Sequence, residues 1–256
     1  MRNSVRSVAT LWLIACGSAV WGEPKAIHVF VALCDNEHQG IVPVPKQLGD
    51  GEDPGNNLYW GALYGTKAFL KRSKDWTVVA TAKGPGEAVL ERVVFKHRTG
   101  GAYLVADAYR GCEIKQAVQD FLAATAGKNA GRLRCGDESI GIGGAADLVV
   151  YVGHNGLMEF SVAQAQREPD ASAKEAMVLA CKSKPYFQPR LAKLQCRSVL
   201  LTTGFMAPEA YTLEAALAGW VAEESGAKIR ERAARAYHKY QKCGLKGAQR
   251  LFYAEE

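Results

Sequence analysis

Residues 147–156 read DLVVYVGHNG, an apolar run that ends at Gly153, His154, Asn155 and Gly156. A strand that is apolar on both faces is typical of a parallel sheet covered by helices on both sides. Similar runs occur at 26–33 (AIHVFVAL), 176–180 (AMVLA) and 198–202 (SVLLT). Helical patterns separate them at 58–71, 113–126, about 161–166 and 209–223, so the sequence predicts an α/β fold with a mainly parallel sheet.

The composition is that of an ordinary globular chain. The protein has 256 residues, of which 48% are hydrophobic and 23% are charged. This length is sufficient for one sizeable core. No repeat or linker divides the sequence, so we expect a single domain over residues 23–256.

The first 22 residues resemble an export signal. Arg2 and Arg6 precede a short apolar core, and small residues follow it at Ala19 and Gly22. The alternative is a bacterial lipoprotein signal, because LIAC at 13–16 resembles a lipobox that would lipidate Cys16. Either interpretation predicts an exported protein, periplasmic or secreted, or anchored to the membrane through a lipid. The apolar core is too short to span a bilayer.

The charge balance gives no reason to expect a nucleic-acid partner. Removal of residues 1–22 removes two arginines and no acid, so the net charge falls from +6 to +4. The basic residues concentrate in a predicted C-terminal helix, 227–250, whose apolar positions repeat at helical spacing. We interpret this helix as a solvated basic face packed through its tyrosines. Contact with a membrane or an anionic polymer is the alternative.

The cysteine count is high for an exported chain. Six of the seven cysteines lie beyond the signal segment, and an even number in an oxidising compartment suggests three disulfides. Their pairing cannot be read from the sequence. If one of the six were a working thiol, another would also stay unpaired.

Two reactive side chains follow predicted neighbouring strands. His154 follows the strand 148–152, and Cys181 follows the strand 176–180. In an open parallel sheet the ligand crevice lies outside the carboxyl ends of the strands. An imidazole and a thiol would then face the same crevice, which favours nucleophilic catalysis by Cys181 with His154 as acid and base.

These two segments, DLVVYVGHNG and AMVLACKS, resemble the histidine and cysteine motifs of the caspase-like cysteine peptidases, which include legumains, gingipains and clostripain. The resemblance implies a three-layer sandwich with a mainly parallel sheet of about six strands. It also implies that His154 is the general acid and base and that Cys181 is the nucleophile. The N–H groups of Gly156 and Cys181 would form the oxyanion hole. In this sequence Asn155 separates the histidine from the glycine that usually follows it directly.

The same resemblance places a substrate pocket near the end of the first strand. Asp35 stands at that place and would favour a basic side chain at P1, the substrate residue before the scissile bond. Thr203, after the strand 198–202, is a second candidate for this pocket. The sequence contains no motif typical of a metal site, a phosphate-binding loop or a serine nucleophile, and we expect no cofactor and no metal.

Two hypotheses of function follow from these features. The first is an exported cysteine endopeptidase that acts on a peptide or protein substrate through a Cys181 thioester. The second is a non-catalytic binding or scaffold domain of the cell envelope with the same fold.

Overall fold

A computed structural model describes residues 23–256, and the predicted signal segment with Cys16 lies outside the described residues. The strands are β1 Lys25–Ala32, β2 Trp76–Lys83, β3 Val89–His97, β4 Ala102–Tyr109, β5 Gly131–Cys135, β6 Glu138–Ile142, β7 Leu148–Val152, β8 Lys174–Leu179, β9 Cys196–Thr202 and β10 Phe252–Tyr253. The helices are α1 Thr66–Lys71, α2 Ile114–Thr125, α3 Ser183–Lys193, α4 Ala210–Val221, α5 Gly226–Gln241 and α6 Leu245–Leu251.

Eight strands form one sheet in the order β10-β9-β8-β7-β1-β4-β3-β2. The five strands β9, β8, β7, β1 and β4 run parallel, and the antiparallel strands lie at the two borders. The prediction of a mainly parallel sheet is confirmed, and the sheet has eight strands rather than about six. The strand order reverses at β1, because β4 lies on one side of it and β7 to β9 lie on the other.

Helices cover both faces of the sheet. On one face, the side chains of Ile27, Val29 and Val31 pack against α1, α4 and α5. On the other, Phe30 and Ala32 pack against α2 and α3. The hairpin of β5 and β6 extends this second face, where Ile140 packs on β3 and β4. Each central strand therefore buries both of its faces, which explains its continuous apolar sequence.

Three predicted helices differ from the structure. Only Thr66–Lys71 of the segment 58–71 is helical, and 161–166 is irregular. The C-terminal segment 227–250 forms two helices, α5 and α6, with left-handed backbone at Lys242 and Gly244 between them. None of the six helices in residues 23–256 combines the length and apolarity needed to cross a membrane.

A buried ionic network lies beneath the second face. Asp107 on β4 accepts hydrogen bonds from Nε and Nη2 of Arg92, both at 2.6 Å, and it is 1% exposed. His28 Nε2 lies 3.0 Å from the same carboxylate, and His28 Nδ1 accepts the Gly143 N–H. Burial alone would raise the pKa of Asp107, but the hydrogen bonds from Arg92 and His28 outweigh burial and hold it below its usual value.

Candidate functional site

A pocket of about 340 Å³ opens at the carboxyl ends of four consecutive parallel strands. Its lining comes from the segments after β1, β7, β8 and β9, and it includes Ile41, Val42, His154, Met158, Cys181, Phe205 and Met206. The pocket adjoins β1, where the strand order reverses, and ligands of open α/β sheets bind at such positions. The sequence prediction that His154 and Cys181 share one crevice is consistent with this arrangement, since β7 and β8 are parallel neighbours.

His154 is held in place from two directions. Its carbonyl accepts a hydrogen bond from the Tyr151 hydroxyl at 2.8 Å, and its ring Nε2 lies 2.5 Å from Oε1 of Glu159. That oxygen also accepts the Gly40 N–H at 2.8 Å, which ties the loop after β1 to the same carboxylate. His154 is 7% exposed. With Nε2–H donating to Glu159, the other ring nitrogen, Nδ1, is left as a proton acceptor.

The imidazole Nδ1 remains available. It has no hydrogen-bond partner in residues 23–256, and it is not sealed from solvent. A nitrogen that is oriented through its opposite ring atom and free to accept a proton is a candidate general base. Cys181 lines the same pocket, and in this structure its thiol is hydrogen-bonded to Met206 rather than to the imidazole.

Cys181 lies in a tight turn between β8 and α3. The next residue, Lys182, adopts the left-handed conformation (φ 48°, ψ 38°), and α3 begins at Ser183. Ser183 locks this turn: its hydroxyl donates to Val178 O at 2.9 Å, and its N–H donates to the Thr202 hydroxyl at 3.0 Å. The turn directs Cys181 into the pocket at the amino end of an 11-residue helix, a position that favours negative charge.

The Cys181 thiol contacts the backbone after β9. Its Sγ lies 3.4 Å from both the N–H and the carbonyl oxygen of Met206. As a thiol it can donate to the carbonyl, and as a thiolate it can accept the N–H. The backbone of Met206 therefore offers an acceptor to the thiol and a donor to the thiolate.

Asn155 joins the histidine segment to the cysteine turn. Its side chain is completely buried, and Nδ2 donates to the carbonyl of Cys181 at 2.8 Å. Its Oδ1 is buried without a partner among the described residues. The residue that interrupts the family pattern in the sequence is thus a direct link between the two candidate catalytic segments.

The two predicted oxyanion donors differ. The Gly156 N–H donates to the carbonyl of His154 at 3.1 Å, so it is already engaged. Within residues 23–256 the Cys181 N–H has no acceptor, whereas the following N–H, of Lys182, donates to Gly204 at 2.7 Å. Only the Cys181 donor is available for a developing oxyanion in this conformation.

Neither predicted substrate-pocket residue lines the pocket that holds His154 and Cys181, as far as the described chain extends. The carboxylate of Asp35 accepts the N–H groups of Glu37 and His38 and contacts the His38 ring at 3.0 Å, and it lines a separate cavity. Thr203 is exposed and bonds to the backbone at Arg250 and Leu251.

Neither protein-family models, nor curated proteins, nor solved structures match this chain. The resemblance to caspase-like peptidases therefore depends on the two short motifs and on the pocket that they share.

The structure shows the six cysteines of residues 23–256 as free thiols, so it gives no support to the three disulfides that their number suggests. Cys34, at the end of β1, is fully buried, and burial raises its pKa to about 11. Tyr59, which lines the pocket, contacts this thiol, and burial raises the pKa of Tyr59 well above its usual value. Both groups are neutral at physiological pH and act as packing around the site.

The sequence does not predict that Glu159 contacts the His154 ring, that Asn155 bonds to the Cys181 carbonyl, or that the loop after β1 lines the pocket. The only signal for Glu159 is an acid five residues after the histidine, and that spacing alone has no structural meaning without the turn at Gly156–Met158. Across the described residues, no group of three or more His, Cys, Asp or Glu side chains is arranged to hold a metal ion.

Proposed function

We propose that this protein is an exported, caspase-like cysteine peptidase in which Cys181 is the nucleophile and His154 is the acid and base. The observation that carries the proposal is the shared pocket of these two side chains at the ends of adjacent parallel strands. Glu159 adds a third group, which orients the imidazole through Nε2. A nucleophile, a base and a group that orients the base together form the arrangement of covalent acyl-transfer catalysis.

The reaction begins with attack of Cys181 Sγ on the carbonyl carbon of the scissile peptide bond, while the thiol proton passes to His154 Nδ1. The oxygen of the tetrahedral intermediate accepts a hydrogen bond from the Cys181 N–H. His154 then returns the proton to the leaving nitrogen, the carbon–nitrogen bond breaks, and an acyl thioester remains on Cys181. Water attacks the thioester carbon and gives a proton to His154. The carbon–sulfur bond then breaks, the carboxylic acid leaves, and His154 returns the proton to the Cys181 sulfur.

Export through the segment 1–22 and a peptide or protein as the substrate belong to the same proposal. An exported protein meets peptide bonds in other exported proteins, and the proposed chemistry requires no cofactor. Lipidation at Cys16 would keep the enzyme at a membrane surface.

The decisive experiment treats the protein with a peptide library that carries acyloxymethyl-ketone groups and locates the adduct by mass spectrometry. We expect labelling at Cys181 that is abolished in Cys181→Ala. In His154→Ala the labelling rate should fall by about 10²- to 10⁴-fold, the range typical of a lost acid–base group. His38→Ala is the matched control, because this histidine lies in the Asp35 loop, outside the pocket.

Labelling that survives Cys181→Ala would refute the proposal. A complete lack of labelling, together with peptide binding that Cys181→Ala leaves unchanged, would favour the non-catalytic binding domain instead.

A further inference from the structure

The pocket around Cys181 has an apolar, exposed rim. In residues 23–256 only five large hydrophobic side chains are exposed, and three of them line this pocket: Val42 (88% exposed), Phe205 (67%) and Met158 (37%). Single exposed apolar residues are common on protein surfaces, but a cluster at one opening marks an interaction site. The rim therefore presents an apolar surface to any ligand that approaches the Cys181 thiol.

The interior of the pocket carries no counter-ion for a charged ligand. No Asp, Glu, Lys or Arg of the described chain lines it, and His154 is its only titratable cationic group. Asp35, which would attract a basic side chain, is bonded within its own loop. The ammonium of Lys182 lies 4.3 Å from the Phe205 ring centroid, but Lys182 does not line the pocket. A charged side chain that entered the pocket would therefore lose water without gaining an ionic partner in the lining, and this is unfavourable.

The size of the pocket is suited to one side chain and the adjoining backbone. Its volume of about 340 Å³ is near the lower end of the range of small-ligand sites, about 300–1,000 Å³. Its apolar walls include Ile41, Val42, Phe205 and Met206, and Cys181 belongs to the same lining.

We infer that this pocket binds a large, uncharged, apolar side chain of an extended peptide, at the residue whose carbonyl Cys181 attacks. The inference rests on the proposed function, and it replaces the basic P1 residue expected from Asp35. The apolar rim and the absence of a lining counter-ion select the same class of substrate, because both favour hydrophobic burial and disfavour charge.

The test compares rates of inactivation by acyloxymethyl-ketone peptides that differ only at P1. We expect leucine or phenylalanine to react at least about tenfold faster than alanine, since each methylene in an apolar pocket changes the rate by about 10- to 200-fold. Arginine and aspartate at P1 should react more slowly than alanine. The fastest reaction with arginine or aspartate at P1 would overturn the inference.

A charge placed on the rim provides an independent test. Val42→Asp alters a side chain that is 88% exposed, so the fold should tolerate it. It should raise the arginine-to-leucine rate ratio by about two- to fivefold, as expected for a new, largely exposed counter-ion near the P1 site. Val79→Asp is the control, because Val79 is also an exposed hydrophobic residue (39%) but lies on β2, away from the pocket.

The outcomes separate this inference from the proposed function. If Cys181 is labelled but arginine at P1 is preferred, the peptidase proposal stands and the apolar specificity is wrong. If no peptide labels Cys181, the peptidase proposal fails and the specificity inference falls with it. An unchanged rate ratio in Val42→Asp also counts against the pocket as the P1 site.

Discussion

Replacement of Asn155 by aspartate should make the stability of the protein depend on pH. Asn155 is completely buried, and its Nδ2 donates to the Cys181 carbonyl at 2.8 Å and faces the Lys182 carbonyl at 3.5 Å. An ionised carboxylate of the same shape would direct an oxygen at these two carbonyls. A protonated carboxyl group could still donate one hydrogen bond. The substitution Asn155→Asp therefore changes charge and donor capacity with little change in volume.

The magnitude follows from burial. Desolvation without a cationic partner raises the pKa of a fully buried carboxyl group by about 3. Each unit corresponds to about 1.4 kcal/mol, so Asn155→Asp should lose about 4 kcal/mol of unfolding free energy at pH 8. Because the pKa is raised in the folded state, the loss is small near the unfolded pKa of about 4 and grows until the pH passes the folded pKa, at about 7.

The assay is urea denaturation of wild type and Asn155→Asp at several pH values from 4.5 to 8. The difference between the two proteins at each pH removes the titration of all other groups. Asn155→Ala is the control: it loses the hydrogen bond at every pH and should cost about 1–3 kcal/mol without a pH trend. A pH-independent difference for Asn155→Asp would refute the buried, uncompensated environment that the structure gives this side chain.

Two further outcomes test the environment of buried groups elsewhere. Burial raises the pKa of Cys34 to about 11 and that of Cys196 to about 12. In the native protein at pH 8, iodoacetamide should therefore modify the exposed Cys243 well before it modifies these two buried thiols. Modification of all three cysteines at the same rate would contradict the buried positions of Cys34 and Cys196. Arg92→Met should lose about 3–5 kcal/mol at pH 7 in chemical denaturation, because it leaves the buried Asp107 carboxylate with only His28 beside it. Loss of the guanidinium raises the pKa of Asp107 in the folded variant, whereas the wild-type ion pair lowers it. The difference in stability should therefore shrink as the pH falls from 7 through the raised pKa of the variant and then below about 4, and a difference that is the same at pH 7 and pH 3 would contradict the ion pair.

Sequence alone was most informative where a segment is buried on both faces. The structure gives β7 the predicted bounds, Leu148–Val152, because five consecutive apolar residues bounded by Asp147 and Gly153 are typical of a buried strand. The parallel pairing of β7 and β8, and with it the proximity of the His154 and Cys181 segments, follows from the same continuous burial. The residues that follow buried parallel strands can thus be predicted from the sequence as part of a candidate site.

Helices were less predictable where proline and glycine act through tertiary contacts. Helix α3 was missed because its sequence, SKPYFQPRLAK, contains two prolines, yet Pro185 occupies the tolerant first turn and only Pro189 lies inside the helix. In the predicted helix 58–71, Gly65 lies so close to the backbone of Trp60 that a Cβ would be 2.5 Å from it. This close approach folds the segment into turns, and its apolar periodicity cannot reveal it.

The candidate site combines both situations. His154 and Cys181 were found because each follows a buried strand. The hydrogen bond between Glu159 and the His154 ring depends on the turn at Gly156–Met158. The apolar wall at Val42 depends on the path of the long loop after β1. Such contacts join residues through irregular segments, which carry no periodic signal.

The two borders of the central sheet also have a consequence for self-association. An exposed, flat strand can pair with another copy of the chain and begin aggregation. At one border β10 contains only two residues, Phe252–Tyr253, and at the other the register of β2 shifts between Val78 and Ala80. A short edge and an irregular edge are both poor templates for further strands, so neither border of the open eight-stranded sheet favours pairing with another copy of the chain.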